Sequence, residues 1–291
     1  MTTLHALLIG IDCYMGQTIA GLPNYPHLSG CVGDIELMES FLTTRLPGMD
    51  VRVTKLTASG SGKQPTEPEE RWPTKANIVA AFQKLAADVQ PGEQVYIHYS
   101  GHGGRALTLY PQVKGAGGLD ESLVPTDYGQ IENVDESEDR YLRDLELAAL
   151  LQALVEKEAV VTVVLDSCHS GGANRGVRPG SRATPRGSME IDTLPRKALD
   201  PAAADPLIAN WQRQSRGTRS VQVAAGWLPN PDGYTLLAAC RALELASEDA
   251  MPNGQRHGYL TYWLWDALQR PMRSWEMVHQ QVAAKLKVAN P

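Results

Sequence analysis

Hydrophobic residues run without interruption in several short stretches of the chain, and each stretch predicts a strand. The clearest are Leu4–Ile11 and Ala159–Leu165, the second of which contains four valines. Continuous apolar runs of this length are typical of strands buried on both faces of a parallel sheet, because half-exposed strands alternate instead. Shorter or alternating runs predict three further strands, at Val51–Leu56, Gln94–Tyr99 and Tyr234–Cys240.

Apolar residues recur at helical spacing between these strands. One such run follows Thr74, which is a predicted N-cap. The other predicted helices are Asp34–Leu46, Asp144–Leu154, Tyr259–Leu268 and Trp275–Leu286. Strands that alternate with helices predict an α/β fold with a central, mostly parallel β-sheet flanked by helices. In such folds, ligand and catalytic sites form beyond the carboxyl ends of the strands.

Residues 170–232 interrupt this alternation. The segment contains seven prolines, nine basic residues and five acidic residues. This composition predicts a solvated loop without regular structure. The loop would join a large part of about 1–170 to a small part of 233–291, and we expect both to belong to one domain covering 1–291.

Composition and charge exclude several classes of protein. The net charge of −6 argues against a nucleic-acid partner. No apolar run approaches the ~20 residues of a membrane helix, and the N-terminus lacks the basic flank of a signal peptide, so no membrane partner is expected. The four cysteines are too widely spaced for a zinc site or a disulfide framework. Free thiols favour the cytoplasm.

The candidate chemistry lies directly after two predicted strands. His102 follows Gln94–Tyr99 in a glycine-rich turn, and Cys168 follows Ala159–Leu165 in the turn Asp-Ser-Cys-His-Ser-Gly. A cysteine thiol needs a neighbouring base to become a nucleophile, and imidazole is the most common one. If the two strands are neighbours, their ends meet, and the pattern predicts a Cys–His hydrolase. His169 points away from the nucleophile, and His98 is predicted to pack in the core.

The two turns resemble the catalytic signatures of the caspase-like cysteine proteases, and most closely those of the metacaspase and bacterial orthocaspase branch. The signatures are Ser100-Gly101-His102-Gly103 and Asp166-Ser167-Cys168-His169-Ser170-Gly171. The likeness extends to Ala-Leu-Leu-Ile-Gly-Ile at 6–11, Leu-Ser-Gly-Cys-Val-Gly-Asp at 28–34 and Leu-Leu-Ala-Ala-Cys-Arg at 236–241. It covers residues 4–170 and 233–270 and implies a caspase-like fold.

The resemblance implies a role for each matching position. Cys168 would attack the scissile carbonyl and His102 would move the proton. The backbone N–H groups of Gly103 and Cys168 would form the oxyanion hole. Asp34 and Asp166 would form an acidic pocket lined by Cys31 and Ser100. Such a pocket implies an endopeptidase that cleaves protein or peptide substrates after Arg, with Lys second. The alternatives are a helix N-cap for Asp34 and a turn residue for Asp166.

A calcium site is a further property of many metacaspases. The segment Asp120–Asp127 resembles the relevant region, which makes Asp120 and Glu121 the calcium candidates. The position at which the family carries another aspartate is Arg175 here, so we expect no required cofactor.

Regulation by proteolysis is expected in residues 170–232, because exposed loops are protease substrates. The intact chain would then be a less active zymogen, cut by itself or by an upstream activating protease; the alternative is that the loop is only a tether. The candidate cleavage sites are Arg175, Arg178, Arg182, Arg186, Arg196, Arg213, Arg216 and Arg219. The family pattern also predicts a final strand after Asn290-Pro291, so we expect either a truncated C-terminus or the loss of that strand.

Three other functions are compatible with the same residues. The chain would be a catalytically silent caspase-like scaffold if Cys168 is unreactive. It would be a Cys–His amidohydrolase of small amides if it lacks a preference for basic peptides. A metal hydrolase is disfavoured because Cys and His lack ligand spacing.

Overall fold

The computed structural model describes residues 2–16, 18, 20–130, 139–168, 183–188, 190–194, 196, 200–216, 228, 233–239, 246–271 and 274–289. The strands are β1 (Thr2–Ile11), β2 (Met49–Ala58), β3 (Gln94–Ser100), β4 (Gly103–Leu107), β5 (Leu119–Leu123), β6 (Leu142–Arg143), β7 (Val160–Asp166), β8 (Thr184–Pro185), β9 (Tyr234–Ala238), β10 (Ser247–Ala250) and β11 (Arg256–Gly258). The helices are α1 (Cys31–Arg45), α2 (Lys75–Asp88), α3 (Pro111–Lys114), α4 (Asp144–Val155), α5 (Pro201–Arg216), α6 (Tyr259–Leu268) and α7 (Trp275–Ala289), with a 3-10 turn at Glu69–Arg71.

Five strands form a central sheet in the order β2-β1-β3-β7-β9, and every neighbouring pair is parallel. All five predicted strands are present in it. All their carboxyl ends therefore lie at one edge of the sheet. The α/β fold class with a mostly parallel central sheet is confirmed.

Alternation along β1 shows how the sheet is buried on both faces. Leu7 and Ile9 enter a hydrophobic cluster with side chains of α2 and α4. Leu4 and Leu8 enter a second cluster with side chains of α1, α6 and α7. Helices on both faces explain why β1 and β7 are continuous apolar runs. Among the helices in the described part of the chain, none has both the length and the apolar composition that a bilayer span requires.

Two small antiparallel sheets lie beyond the main one. The first has the order β4-β5-β6, and the second has the order β11-β10-β8. The main sheet leads into the first through a very short connection, because β4 begins three residues after β3 ends. The second joins β8, from the predicted loop, to two strands of the small part.

The start of α1 differs from the prediction. The helix begins at Cys31 rather than Asp34, so the N-cap alternative for Asp34 is wrong. The carboxylate of Asp12, just after β1, instead accepts the first helical N–H groups, those of Cys31 at 2.8 Å and Val32 at 3.3 Å. Capping from a distant strand leaves no signal near the helix itself.

The prediction that residues 170–232 lack regular structure is wrong for the described part of that segment. It contains β8 and the sixteen-residue helix α5. Pro201 occupies the first helical position, where a missing N–H costs nothing, and the side chain of Asp200 accepts the N–H of Ala202 at 2.9 Å. Pro201 is thus compatible with the first turn, whereas Pro206 lies inside the helix, where it cannot donate a backbone hydrogen bond.

Candidate active site

The carboxyl ends of β3 and β7 carry the two residues expected to react. These strands are neighbours, and Ser100 is in register with Asp166. His102 and Cys168 each follow two residues after that pair. The parallel register therefore brings both residues to the same edge of the sheet, and both side chains are buried, with relative exposures of 0% and 3%.

The ring of His102 is held in one orientation. Its Nε2 lies 2.7 Å from the carbonyl oxygen of Pro26, which makes Nε2 the protonated nitrogen, and the rings of Tyr14 and Tyr25 pack against it. Nδ1 is buried and has no hydrogen-bond partner in the described part of the chain. Burial, assisted by the positive charge of Arg186, lowers the pKa of His102 to about 4. The imidazole is therefore neutral near pH 7, with Nδ1 able to accept a proton.

The backbone around Cys168 binds a carbonyl oxygen from the 170–232 segment of the same chain. The N–H groups of Cys168 and Gly103 both donate to the carbonyl oxygen of Arg186, at 2.9 and 3.1 Å. The Sγ atom donates to the carbonyl oxygen of Ala246 at 3.0 Å. A Cβ atom on Gly187 would lie 2.6 Å from the Cβ of Cys168. The Arg186–Gly187 peptide bond therefore lies directly against the cysteine.

Asp34 lies in a fully buried pocket next to this bond. Its carboxylate accepts hydrogen bonds from Ser100 Oγ at 2.7 Å and from His257 Nδ1 at 2.9 Å. It also accepts the backbone N–H of Gly258. Four donors from three parts of the chain thus orient the carboxylate, when the guanidinium of Arg186 is included.

Asp166 and Cys31 line the same pocket. Asp166 is the last residue of β7 rather than a turn residue, and its Oδ2 accepts both the N–H and the hydroxyl of Thr261, at 2.8 and 2.6 Å. The Sγ of Cys31 lies 3.9 Å from Oε2 of Glu248. The structure therefore brings together all four residues expected to bind substrate, and adds Glu248 as a third carboxylate.

The pocket is filled by the guanidinium group of Arg186, whose side chain has 0% exposure. Nη1 donates to Ser100 Oγ at 2.8 Å and lies 3.2 Å from Oδ1 of Asp166. Nη2 donates to Asp34 at 2.8 Å and to Glu248 at 3.3 Å. The two terminal nitrogens thus contact separate sets of oxygens, which a planar fork can do and a single ammonium group cannot.

The charges in the pocket depend on one another. Although burial by itself raises the pKa of Asp34, the Arg186 guanidinium and the hydrogen bond from His257 hold it below its ordinary value. Burial raises the pKa of Asp166 despite the same guanidinium. Burial also opposes the charge of Arg186, but the surrounding carboxylates keep its pKa well above the ordinary value. Removal of this cation would leave Asp34 and Asp166 buried without their guanidinium partner, whereas Glu248 would keep Arg256 at 3.2 Å. The pocket therefore favours a cation.

Several site residues were missed by the sequence analysis. Glu248 lies in β10, and its Oε2 also accepts the N–H of Gly30 at 3.1 Å. Gly258 leaves room for the guanidinium, because a Cβ atom there would collide with Arg186 and Asp166. Neither residue belongs to one of the motifs that carry the family resemblance, and no local pattern distinguishes them from ordinary strand residues.

Two of the candidate cleavage sites are not the exposed loop residues that we expected. Arg186 is buried in the pocket, and Arg196 is ion-paired with Asp192 at 2.5 Å with 4% of its side chain exposed. Arg213 and Arg216 lie on α5. Four further candidates lie outside the described residues: Arg175, Arg178, Arg182 and Arg219. His169 also lies outside them.

The calcium candidates lie in β5, away from this pocket. The two carboxylate oxygens of Asp120 already contact cations, Lys114 at 3.1 Å and Arg143 at 2.7 Å. The neighbouring backbone N–H of Glu121 donates to Asp144. A calcium ion at Asp120 would have to displace both side-chain cations.

Comparisons with known proteins identify the family of this chain. The sequence profile of the family described as metacaspase, peptidase C14 domain, matches residues 5–174. Metacaspase-1 of Mycosarcoma maydis is 33% identical over 168 residues, which are 58% of this chain and 36% of that protein. Metacaspase-1B of Aspergillus fumigatus is 37% identical over 171 residues, again 58% of this chain and 36% of the relative. The chain thus matches little more than a third of the length of these relatives.

Two comparisons extend over almost the whole chain. Metacaspase-1B of Aspergillus niger is 26% identical over 295 residues, which cover 97% of this chain and 61% of that protein. A crystal structure of a protein from Geobacter sulfurreducens aligns with a TM-score of 0.60, over 98% of this chain and 89% of that chain, at 20% identity. That alignment shows a common fold. Because the family profile covers more than half of its residues, the chain belongs to the metacaspase family of cysteine-type peptidases.

Proposed function

We propose that this chain is a cysteine endopeptidase that cleaves protein substrates after arginine, with Cys168 as nucleophile and His102 as its acid–base partner. The observation that carries the proposal is the position of Arg186. Its side chain fills the acidic pocket while its carbonyl oxygen accepts the N–H groups of Cys168 and Gly103. These are the contacts that an arginine substrate requires immediately before attack.

The proposed reaction uses only side chains and backbone groups of this chain. His102 Nδ1 accepts the thiol proton, and the sulfur of Cys168 attacks the carbonyl carbon. The two N–H groups stabilise the negative charge on the oxygen, a contribution of ~3 kcal/mol for each donor. The imidazolium then protonates the leaving amine, and water hydrolyses the thioester. The bond from Nε2 to Pro26 fixes the tautomer that these transfers need.

Arginine is favoured over lysine because both terminal nitrogens of the guanidinium have partners in the pocket. A lysine ammonium would satisfy only part of this set. An aspartate side chain would face three like-charged groups and is expected to be rejected. Cys13, Cys31 and Cys168 are present as thiols rather than disulfides, which supports a cytoplasmic location.

The occupied site also supports a zymogen that processes itself. Among the candidate cleavage sites that lie in the described part of the chain, Arg186 alone has its carbonyl group against Cys168. The intact chain would therefore exclude other substrates until the Arg186–Gly187 bond is cut and the pocket is vacated. An upstream protease that cuts elsewhere in residues 170–232 is the second route to activation.

The test is hydrolysis of peptides that carry a fluorophore after Arg, Lys or Asp, with self-cleavage followed on gels. We expect the order Arg, Lys, Asp for the wild type, and loss of all activity in Cys168→Ala. Cys13→Ala removes another buried thiol and is the matched control, expected to remain active. Parallel reactions with added calcium and with a chelator test Asp120 and Glu121 as a calcium site; the proposed chemistry predicts equal rates.

Each alternative function has its own outcome in this experiment. A silent scaffold would hydrolyse nothing and would not react with a thiol-directed label that carries arginine. A small-amide hydrolase would cleave amides without preference for the basic peptides. Activity that persists in Cys168→Ala, or a preference for Asp, would overturn the proposal.

A further inference from the structure

A second set of contacts holds the 170–232 segment on the C-terminal side of the Arg186–Gly187 bond. The stretch from Gly187 to Arg196 follows the bond toward the C-terminus, and we call it the docking segment. Its described residues lie along β4, which is the edge strand of its sheet. The role that we infer for this segment rests on the proposed function, because the segment affects how the Arg186–Gly187 bond reaches Cys168.

The docking segment pairs with β4 at two points. Gly187 forms a parallel bridge with Gly103, next to the oxyanion hole. Further along, Asp192 donates its N–H to the carbonyl of Arg105 at 2.8 Å and accepts the N–H of Leu107 at 2.9 Å. The two points are five positions apart along the segment but only three positions apart along β4. In its described residues, the segment therefore makes two separate contacts with β4 instead of pairing with the strand continuously.

The second contact is held by a side-chain cluster that we call the clamp, formed by Asp192 and Arg196. Asp192 is 1% exposed, and its carboxylate accepts Arg196 Nη2 at 2.5 Å and the N–H of Leu194 at 2.9 Å. Leu194 packs against the main hydrophobic cluster. The carboxylate of Glu190 accepts the N–H of Asn24 at 3.3 Å, which also ties the docking segment to the large part of the chain.

None of these contacts involves the arginine pocket. On the other side of the bond, β8 pairs with β10, and the N–H of Arg186 donates to Ala246 at 2.9 Å. The scissile bond therefore lies between two fixed points, the pairing of β8 with β10 on its N-terminal side and the clamp on its C-terminal side. The clamp lies six residues after Arg186, so it acts on the position of the bond and not on its chemistry.

We propose that the Asp192–Arg196 clamp is a positioning element that presents the Arg186–Gly187 bond to Cys168 of the same molecule. The sulfur–carbon bond forms at the carbonyl of Arg186, and the carbon–nitrogen bond to Gly187 breaks as His102 returns the proton to the nitrogen. Water then releases a carboxylate at Arg186. The new amino terminus at Gly187 stays on the enzyme, because the clamp still binds the docking segment.

The test compares self-cleavage with cleavage by a second molecule. Asp192→Asn and Arg196→Gln are expected to slow the appearance of the Gly187 terminus at least tenfold, measured by mass spectrometry. The wild-type rate should not change over a hundredfold dilution, whereas the residual rate of the variants should fall. Asp205→Asn removes an exposed carboxylate on α5 and is the matched control, expected to behave as wild type.

A second measurement separates positioning from simple loss of stability. Chains carrying Cys168→Ala are offered as substrates to active enzyme, with and without Asp192→Asn. The clamp fixes the segment that follows the bond, so its removal should free the bond for other molecules and speed cleavage by added enzyme at least threefold while it slows self-cleavage. Thermal unfolding of each inactive chain shows whether it is folded. Arg196→Gln, which leaves the bond from the Leu194 N–H to Asp192 in place, serves if Asp192→Asn does not fold.

The inference fails if folded clamp variants cut themselves at the wild-type rate, or if their inactive forms are cut no faster by added enzyme. Wild-type self-cleavage that slows on dilution, or is absent, also overturns it. In those cases the proposed function still stands as long as peptides ending in arginine are hydrolysed by Cys168. Absence of peptide hydrolysis by wild type, including after limited nicking of residues 170–232, would instead remove the proposed function itself.

Discussion

Among the residues that the structure describes, Arg143 and Arg186 are fully buried among carboxylates, and only Arg186 lies in the candidate active site. Arg143 contacts Asp120 at 2.7 Å and Asp139 at 2.6 Å. Arg186 contacts Asp34 and Asp166 at 2.8 and 3.2 Å, with Glu248 slightly farther away. By burial and by charge alone the two clusters look alike.

The clusters differ in where their partners come from. Asp139 is four residues from Arg143, and Arg143 also donates to the carbonyl of Leu107 on a nearby strand. This cluster fixes the start of α4 against β4 and β5. The partners of Arg186 come instead from α1, β3, β7 and β10, at the carboxyl edge of the main sheet, and its carbonyl oxygen accepts the N–H groups of Cys168 and Gly103. A buried ion cluster thus identifies a substrate pocket only when it adjoins reactive groups.

The largest expected difference comes from removal of each arginine. Arg186→Gln should abolish cleavage of the Arg186–Gly187 bond, by about a thousandfold or more, whereas Arg143→Gln should leave the pocket contacts in place. In a Cys168→Ala background, Arg143→Gln should lower the free energy of unfolding by about 3–5 kcal/mol, because it strands buried carboxylates. Denaturant unfolding and gel assays measure the two effects.

Ligand binding sharpens this comparison. A peptide ending in arginine should raise the Tm of the inactive Arg186→Gln chain, because its pocket no longer holds a cation of its own. The same peptide should not stabilise the inactive Arg143→Gln chain, whose pocket is still filled. Equal responses of the two chains would mean that the clusters are equivalent and that the pocket assignment is wrong.

A smaller effect is expected at Gly258. The substitution Gly258→Ala places a methyl group against the guanidinium position and the Asp166 carboxylate. We expect kcat/KM for arginine peptides to fall about tenfold. The ratio of arginine to lysine cleavage should also fall, because the added methyl group crowds the larger guanidinium more than a lysine ammonium. Gly16→Ala is the control, since nothing lies within 4 Å of its added Cβ atom. An unchanged ratio would contradict the pocket geometry.

The smallest expected effect is on the pH dependence of stability. Burial lowers the pKa of both His98 and His102 to about 4, below the ordinary value of an unfolded histidine. Between pH 6.5 and 4 the unfolded chain binds more protons, so stability falls as the pH is lowered. Asp12 and Asp144, whose pKa burial raises to about 6, act in the opposite direction below pH 6.

His102→Gln should therefore reduce the loss of stability on acidification, by about 1 kcal/mol. The measurement is urea unfolding from pH 7 to pH 5.5 in the Cys168→Ala background, with and without the substitution. His98→Gln provides the comparison, since its ring bonds Tyr96 and Thr261 inside the core rather than the site. A steeper pH dependence in His102→Gln would show that this histidine is charged in the intact protein.

The hydrophobic pattern was sufficient to predict the main sheet and most of its helices, because it depends on local burial. Strands buried on both faces must be apolar throughout, so β1 and β7 are visible in the sequence. The turns after β3 and β7 follow from the same pattern, which is how His102 and Cys168 could be identified. The described part of residues 170–232 was misjudged because composition records neither a helix stabilised at its first turn nor a strand stabilised by a distant partner.

The sequence by itself determined the parallel α/β class, the two strand ends that carry His102 and Cys168, and the resemblance of their turns to caspase-like proteases. Only the tertiary structure decided that Glu248 joins Asp34 and Asp166, and that Arg186 is the cation they surround. Asp34 and Glu248 are 152 and 62 residues from Arg186 along the chain. Their attraction acts through a dry pocket that exists only after the sheet has formed, so no local pattern records it.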